Sequence, residues 1–226
     1  MTVAERQGSP RDRLLQAARE VVAAEGLEGL TLRAIARRAG VSHGAPLRHF
    51  PTLAALLAAV AADGFARLAA AVEAALAGAD AAAAARGARL GARERLAAAG
   101  LAYVRFALAE PGVFTVTFRP ERVDVGDPGY QRQGMASFGQ LVGLVEAAQA
   151  EGWQAGQPPA LLAATLWAHV HGVAELALHG ALGGVVGGDA AGRVLALSTA
   201  LALDVDPASV PGLDGTAATT NQGDGS

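Results

Sequence analysis

Side chains that can carry acid–base or metal chemistry cluster near the C-terminal end of the sequence, at His169, His171, Glu175 and His179. His171 and Glu175 are four residues apart, so a helix places them one turn apart on the same face. A histidine hydrogen-bonded to a carboxylate satisfies two polar groups within an apolar helix, which explains the pair without a metal or a substrate. His169 lies about 200° around the helix from His171, so these two imidazoles cannot share a ligand.

The rest of the sequence also argues against catalysis and metal binding. It contains no HExxH motif and no cysteine, so disulfides and cysteine-based zinc sites are excluded. We therefore expect no enzymatic activity, no metal and no cofactor.

A second stretch, residues 31–50, carries basic side chains in a pattern that suits contact with DNA. Thr31 stands at a helix N-cap position, and Gly40 stands where a left-handed C-cap favours glycine. The apolar residues between them fall on one helical face, at Leu32, Ile35, Ala36 and Ala39. Arginines occupy the other face, at Arg33, Arg37 and Arg38.

A second short helix follows the turn. Ser42 is a second N-cap candidate, and a helix near 43–49 carries His43, Arg48 and His49. Helix, tight turn and helix together form the arrangement that places a second helix in the major groove of DNA.

These residues resemble the DNA-binding signature of the TetR family of bacterial transcriptional repressors. The segments that carry the resemblance are TLRAIARRAGVS, then HGAPLRHFP, then ALLAAV, and the similarity runs from about Arg11 to about Val60. Two positions depart from the family pattern. Leu47 stands where an aromatic residue, usually Tyr, commonly contacts phosphate, and Leu53 stands where a Lys commonly does so.

The candidate DNA contacts follow from this resemblance and from the position of each residue on the two helices. A helix N-terminus attracts phosphate, Gly44 permits a close backbone approach, and the Ala45 methyl can touch a thymine methyl. Arg48 and His49 are candidates for phosphate or base-edge contacts, while the plainer alternative for His49 is a surface residue beside Phe50. The full set is Thr31, Arg33, Ser42, His43, Gly44, Ala45, Arg48 and His49.

The charge distribution agrees with DNA binding. Residues 1–50 hold eight arginines against five acidic residues, a balance of +3, whereas the rest of the chain holds ten against sixteen, a balance of −6. A basic N-terminal region on an acidic remainder favours contact with phosphate. Taken alone, the +3 balance would also fit an ordinary solvated helix surface.

The composition predicts an all-α fold. Hydrophobic residues make up 52% of the chain and aromatic residues only 4%, so Ala, Leu and Val must build the core. An apolar stripe on the first helix would close a three-helix core with Leu27, Leu30, Leu32, Ile35, Val41, Leu47 and Phe50. No apolar stretch is predicted to span a membrane and the N-terminus lacks the apolar core of a signal peptide, so we expect a cytoplasmic protein.

Four regions are predicted along the chain. Residues 1–9 form a disordered tail, 10–51 the helix-turn-helix DNA-binding domain, 52–205 an effector-binding and dimerisation domain, and 206–226 a second disordered tail. The fourth helix is expected over about 52–77 and is followed by a loop over 78–91. Apolar helices at about 159–181 and 189–203, separated by a glycine-rich loop over 183–188, are expected to pair with their symmetry mates in a homodimer.

An effector site is expected in the C-terminal bundle, because the TetR resemblance implies a small molecule bound there. Trp167, His171 and Gly172 resemble the W…HG signature of a C-terminal domain class within this family. The candidate lining residues are Tyr103, Phe106, Phe114, Phe118, Met135, Phe138, Trp167 and His171. They are mostly apolar, which favours an apolar or aromatic ligand, although each residue taken singly is better explained as a core side chain.

The sequence therefore favours a homodimeric transcriptional repressor that an effector releases from a near-palindromic operator. The two recognition helices would enter successive major grooves about 34–36 Å apart. Two alternatives remain: a regulator of the same fold that activates or has no ligand, and a helical ligand-binding or interaction protein whose DNA affinity is weakened by Leu47 and Leu53.

Overall fold

The chain is described here by a computed structural model that covers residues 9–42, 45–187 and 190–210. Within these ranges the fold is all-α, as predicted, and contains no strand. The helices are α1 (Pro10–Glu25), α2 (Leu32–Arg38), α3 (Ala45–His49), α4 (Leu53–Ala85), α5 (Ala92–Ala109), α6 (Pro111–Thr117), α7 (Pro128–Ala150), α8 (Pro159–Leu178), α9 (Ala181–Val186) and α10 (Ala190–Leu203). Short 3-10 turns occupy Pro120–Arg122 and Pro207–Ser209.

The described residues divide into two compact units, each built from two stretches of the chain. Unit 1 comprises those of 1–69 and 109–139, and unit 2 comprises those of 70–108 and 140–226. The predicted domain boundary at residue 51 lies inside unit 1, because α6 and the start of α7 pack with the N-terminal helices.

Local side-chain caps set where the first helices of unit 1 begin. The backbone N–H of Asp12 donates to Ser9 Oγ at 3.2 Å, and the Ser9 N–H donates back to Asp12 Oδ2 at 3.1 Å. This capping box starts α1 with Pro10 at its first position, where its missing N–H costs nothing. The Ala55 N–H donates to Thr52 Oγ1 at 3.0 Å and starts α4. The predicted start of the fourth helix, at about residue 52, is confirmed.

The core of unit 1 joins the three N-terminal helices to α4 and to the segment around α6. Its fully buried members include Leu14, Ile35, Leu56 and Val116. The prediction that Leu47 belongs to this core is wrong, because its side chain is 61% exposed. Pro46 and Phe50, one helical turn apart, take the inward positions of α3 instead.

Three other predicted boundaries also need correction. Helix α4 continues to Ala85 through much of the predicted loop, because Ala is the strongest helix former and Gly78 alone does not end the helix. The short helix α9 occupies part of the predicted glycine-rich loop. Val210 is fully buried, so ordered structure extends into the predicted C-terminal tail. The rest of that tail, from 211, and residues 1–8 lie outside the described ranges.

In unit 2, α8 packs against α9 and α10, and α5 supplies much of the buried surface. The Ala92 N–H at the start of α5 donates to Glu151 Oε2 at 2.9 Å, which ties this helix start to the end of α7. Arg93 donates to the carbonyl oxygens of Leu203 at 3.2 Å and Asp204 at 3.1 Å, which satisfies free acceptors at the end of α10.

The prediction that no segment is apolar enough to span a membrane is wrong. By length and composition, α4 and α8 each meet that criterion, and α5 with α6 would meet it only as one broken span. Alanine-rich helices meet this criterion of length and hydropathy because few of their residues are charged. The most apolar stretch of α4 is 44% buried inside the protein, whereas the most apolar stretch of α8 is only 17% buried. Helix α8 therefore leaves much apolar surface uncovered within one protomer.

Candidate functional site

Hydrogen bonds fix both ends of α2. The Ala34 N–H donates to Thr31 Oγ1 at 3.2 Å, which confirms the predicted N-cap of α2. At the other end, Gly40 adopts φ +63°, its N–H donates to Arg37 O at 3.2 Å, and the Val41 N–H donates to Ala36 O at 3.1 Å. These two bonds form a Schellman motif, which confirms the predicted left-handed glycine cap and ends α2 sharply.

The orientation of α3 follows from its two buried residues. Pro46 and Phe50 face the core, and the Phe50 N–H donates to Pro46 O at 2.7 Å. Residues advance by about 100° around a helix, so Arg48 lies opposite this buried side, with Leu47 and His49 on either side of it. All three are exposed. Arg11 of α1 holds its guanidinium 5.3 Å from the centre of the Phe50 ring, a cation–π contact that braces the end of α3.

The arginines of unit 1 differ in whether an acidic partner engages them. Arg38 Nε donates to Glu20 Oε2 at 2.9 Å, and Arg19 forms an ion pair with Asp63. Hydrogen bonds from Gln16 and then from Arg38 lower the pKa of Glu20 below its ordinary value, so this acid stays charged. By contrast, the described residues place no acidic group within ion-pair distance of the exposed Arg33, Arg37 or Arg48. These three cations are therefore available to phosphate.

Six of the eight predicted DNA-contact residues lie within the described ranges. Five of them are exposed: Thr31, Arg33, Ser42, Arg48 and His49. Thr31 Oγ1 accepts the cap hydrogen bond, and its own hydrogen remains for a phosphate oxygen. Ala45 is the first residue of α3, while His43 and Gly44 lie outside the described residues. The structure brings the exposed residues onto α2, the turn and α3, and their contact with DNA stays a prediction.

Sequence reasoning missed an ion-pair chain within unit 1. Arg19 of α1 pairs with Asp63 of α4, Arg67 lies 4.0 Å from the same carboxylate, and Arg67 also pairs with Glu110, which precedes α6. These ion pairs link α1, α4 and the N-terminal end of α6 within unit 1. Only the Asp63–Arg67 pair, four residues apart on one helix, could have been found in the sequence.

Unit 2 contains a polar network built from three of the predicted effector residues. Trp167 Nε1 donates to the Tyr103 hydroxyl oxygen at 3.2 Å, and the same hydroxyl lies 2.8 Å from Nδ1 of His171. The hydroxyl accepts from Trp167 and donates to His171, which leaves the imidazole hydrogen on Nε2. That nitrogen lies 3.8 Å from Glu175 Oε1, so the predicted His171–Glu175 neighbourhood is present.

Burial keeps this network neutral at its centre. Burial raises the pKa of the Tyr103 hydroxyl well above its ordinary value. Burial also lowers the pKa of His171, and the nearby Glu175 carboxylate only partly opposes that shift. A phenol and a neutral imidazole therefore form the centre of this network. Among the described residues, no group of three or more His, Cys, Asp or Glu side chains could hold a metal ion.

The other predicted effector residues lie in different surroundings. Phe106 is buried on α5, one turn after Tyr103. Phe114 and Phe118 belong to unit 1, where their rings lie 4.9 Å apart and Phe118 meets Phe65 edge to face at 5.5 Å. Phe138 of unit 1 is half-buried, and Met135 is 71% exposed. The structure thus brings together Tyr103, Trp167 and His171 in one unit and Phe114 and Phe118 in the other.

Comparison with known families identifies both parts of the chain. Residues 14–60 match a family model described as bacterial regulatory proteins of the tetR family. Residues 96–201 match a second model, described as a tetracyclin repressor-like C-terminal domain. The search of curated proteins found no match.

Solved structures share the whole fold. A protein with unknown function from Rhodococcus sp. RHA1 is 35% identical, with a TM-score of 0.70 over 87% of this chain and 95% of that one. A TetR family transcription regulator from Marinobacter aquaeolei VT8 is 20% identical, with a TM-score of 0.61 over 89% of this chain and 97% of that one. The fatty acid degradation regulator FadR from Bacillus halodurans is 14% identical, with a TM-score of 0.64 over 87% and 95%.

The structural similarity to the last two proteins shows only a shared fold. The two family models, in contrast, match the sequence of the helix-turn-helix and of most C-terminal helices. The chain therefore belongs to the TetR family of transcriptional regulators and carries the family's DNA-binding domain.

Proposed function

We propose that the protein is a homodimeric repressor that binds a near-palindromic operator and leaves it when a small apolar or aromatic effector binds. TetR regulators bind DNA operators and act as dimers, and they are typically soluble cytoplasmic proteins that are generally not enzymes. The observation that carries the proposal is the exposed basic face of α2 and α3. There Arg33, Arg37 and Arg48 have no acidic partner among the described residues, while the neighbouring Arg38 is neutralised by Glu20.

Apolar surface on α8 and α10 supports the dimer. In one protomer Leu201 is 78% exposed and Leu197 is 64% exposed on α10, and Leu161 is 57% exposed on α8. Pairing α8 and α10 with their symmetry mates would form a four-helix bundle and remove this surface from water. Dimerisation would also bring two recognition helices to one DNA duplex, as a near-palindromic site requires.

We propose the Tyr103–Trp167–His171 network of unit 2, with Phe106 one turn from Tyr103, as the effector site. Two aromatic rings, an imidazole and a phenol offer apolar surface together with a few oriented hydrogen-bonding groups, which is the usual make-up of a small-molecule site. Trp167 keeps 38% of its surface exposed, so a ligand can reach the ring. Effector binding would favour a spacing of the two recognition helices that no longer fits the operator.

DNA binding is tested first, with fluorescein-labelled DNA from the intergenic region beside the protein's own gene. Anisotropy titrations at two salt concentrations, with unrelated DNA of equal length as control, should show specific binding with two protomers per site that weakens steeply with salt. Equal affinity for both DNAs would reject the repressor and favour an interaction protein, a second candidate that the exposed apolar Leu47 on α3 makes worth testing.

The effector is tested by thermal shift with a panel of apolar and aromatic compounds. A bound compound raises the midpoint of unfolding because it binds only the folded state. Trp153 and Trp167 are the two tryptophans of the sequence, so a Trp153→Phe variant reports on Trp167 fluorescence alone. A compound that stabilises the protein, changes this fluorescence and lowers operator affinity would support the proposal. A panel without any such compound would favour a ligand-independent regulator.

A further inference from the structure

We propose that Leu47 reads the C5-methyl group of a thymine in the operator, so that an apolar contact contributes to sequence recognition. The inference rests on the proposed function, because it concerns the same DNA-binding face. Leu47 is apolar, yet it points away from the core of unit 1 and is 61% exposed.

The position of Leu47 on α3 carries the inference. A single exposed leucine is ordinary on a protein surface, so exposure alone assigns no role. Leu47, however, adjoins Arg48 on the side of the helix that Pro46 and Phe50 leave exposed, and that helix is the second one of the helix-turn-helix. When Arg48 meets the duplex, Leu47 is brought against it as well.

The chemistry of the side chain limits what it can recognise. An isobutyl group has no donor or acceptor, so it cannot bind phosphate or make a hydrogen bond to a base edge. The apolar group that DNA presents in the major groove is the thymine methyl, which distinguishes thymine from cytosine and from uracil. With leucine at position 47, a phosphate contact that is independent of sequence is replaced by an apolar contact that depends on the base.

Deoxyuridine substitution tests the contact, since it removes only the methyl group. Once the protected site has been mapped by footprinting, each thymine of the half-site is replaced by deoxyuridine, symmetrically in both halves. Wild-type protein should lose about fourfold in affinity per half-site at one position, the factor expected for burying one methyl group. Leu47→Ala should be insensitive at that position and retain wild-type responses elsewhere, while Leu47→Met, which keeps an apolar contact, should respond like wild type.

Val125→Ala is the matched control, because it shortens an exposed apolar residue of unit 1 outside the helix-turn-helix. It should behave as wild type on every DNA. Equal losses of affinity for wild type and Leu47→Ala at every substituted thymine would overturn the inference. A uniform loss of affinity for Leu47→Ala on all DNAs would also overturn it, because that result would indicate packing against the sugar–phosphate backbone. In either case wild type still prefers its operator, so the proposed function stands. Wild type without any operator preference would reject both.

Discussion

Ser198 of α10 accepts a hydrogen bond from His169 of α8. The two atoms, His169 Nε2 and Ser198 Oγ, lie 2.8 Å apart, and Ser198 Oγ also lies 2.6 Å from Val194 O. A hydroxyl has one hydrogen, which goes to the carbonyl, so the imidazole must be the donor and carries its hydrogen on Nε2. Helices α8 and α10, which both expose large apolar residues, are thereby tied together by a directional contact.

Ser198→Ala should lower the free energy of unfolding by about 1 kcal/mol, because it leaves His169 without its acceptor. Urea unfolding at neutral pH measures the effect. Thr165→Ala is the control, since that hydroxyl donates within α8 to Leu161 O at 2.9 Å. A double-mutant cycle of Ser198→Ala with His169→Phe that shows no coupling energy would contradict the assignment.

Leu201→Glu should separate the dimer. The side chain is 78% exposed in the protomer, so the change does not disturb the protomer core, but it would place an unpaired carboxylate in the proposed interface. We expect the dimer Kd to rise by about a hundredfold or more, measured by sedimentation velocity across a concentration series. Val125→Glu adds the same charge to unit 1 and should leave the protein dimeric. A Leu201→Glu protein that sediments as wild type would place the interface elsewhere.

Arg48→Ala should weaken operator binding by about 1–3 kcal/mol per recognition helix, because it removes a cation that no acidic group in the described part of the chain neutralises. If Arg48 binds phosphate, the salt dependence should also become less steep by about one counterion per protomer. Anisotropy titrations over a salt series measure both quantities. Arg132→Ala removes an exposed arginine of α7 and should change neither; unchanged binding in Arg48→Ala would mean that α3 does not enter the groove as placed here.

Sequence reasoning succeeded where the determinants are local. Thr31 and Gly40 were assigned as caps from their positions alone, and each cap hydrogen bond involves residues only a few positions away. The same locality explains the His171–Glu175 pair. The TetR assignment was possible because cap, turn and recognition helix stand in register over one short stretch.

Sequence reasoning failed where a distant residue or a small rotation of a helix decides which side chains are buried or paired. Leu47 looks like a core residue by composition, but Pro46 and Phe50 already fill the inward side of α3, and that rotation depends on the packing of α1 and α4. The alanine-rich end of α4 has no apolar periodicity to mark its last residue. Tyr103 and Trp167 are 64 residues apart, so their hydrogen bond was beyond any local pattern.

Gly112→Ala should destabilise the protein by about 1–3 kcal/mol, because α6 approaches the backbone of α1 too closely for a side chain. A Cβ at this position would lie 2.9 Å from both Cα and N of Ala23, and a backbone cannot yield as a flexible side chain can. Thermal and urea unfolding measure the loss. Gly139→Ala on α7 is the control, since its Cβ would meet nothing within 4 Å and should stabilise the helix slightly. A Gly112→Ala protein as stable as wild type would refute the close contact.

His171 should make stability depend on pH. Its pKa is lowered in the folded protein from the ordinary value of 6.5, so the unfolded chain binds the proton more readily. The contribution of the neutral imidazole is fully present above that ordinary value and is lost as the pH falls from there through the lower folded-state pKa. The unfolding midpoint should therefore drop more between about pH 7.5 and about pH 5.5 in wild type than in His171→Gln. Parallel curves would show that His171 does not titrate differently on folding.

The division of the chain into interleaved units limits how the protein can be dissected. The boundary at residues 69 and 70 lies within α4 and that at 139 and 140 within α7, while Val116 and Val123, in the core of unit 1, follow the first stretch of unit 2. A shortened gene ending after residue 69 would encode every DNA-contact candidate but not these two core valines. Unit 1 therefore cannot be isolated as one continuous segment of the chain. Its isolation would require joining its two stretches with a new linker.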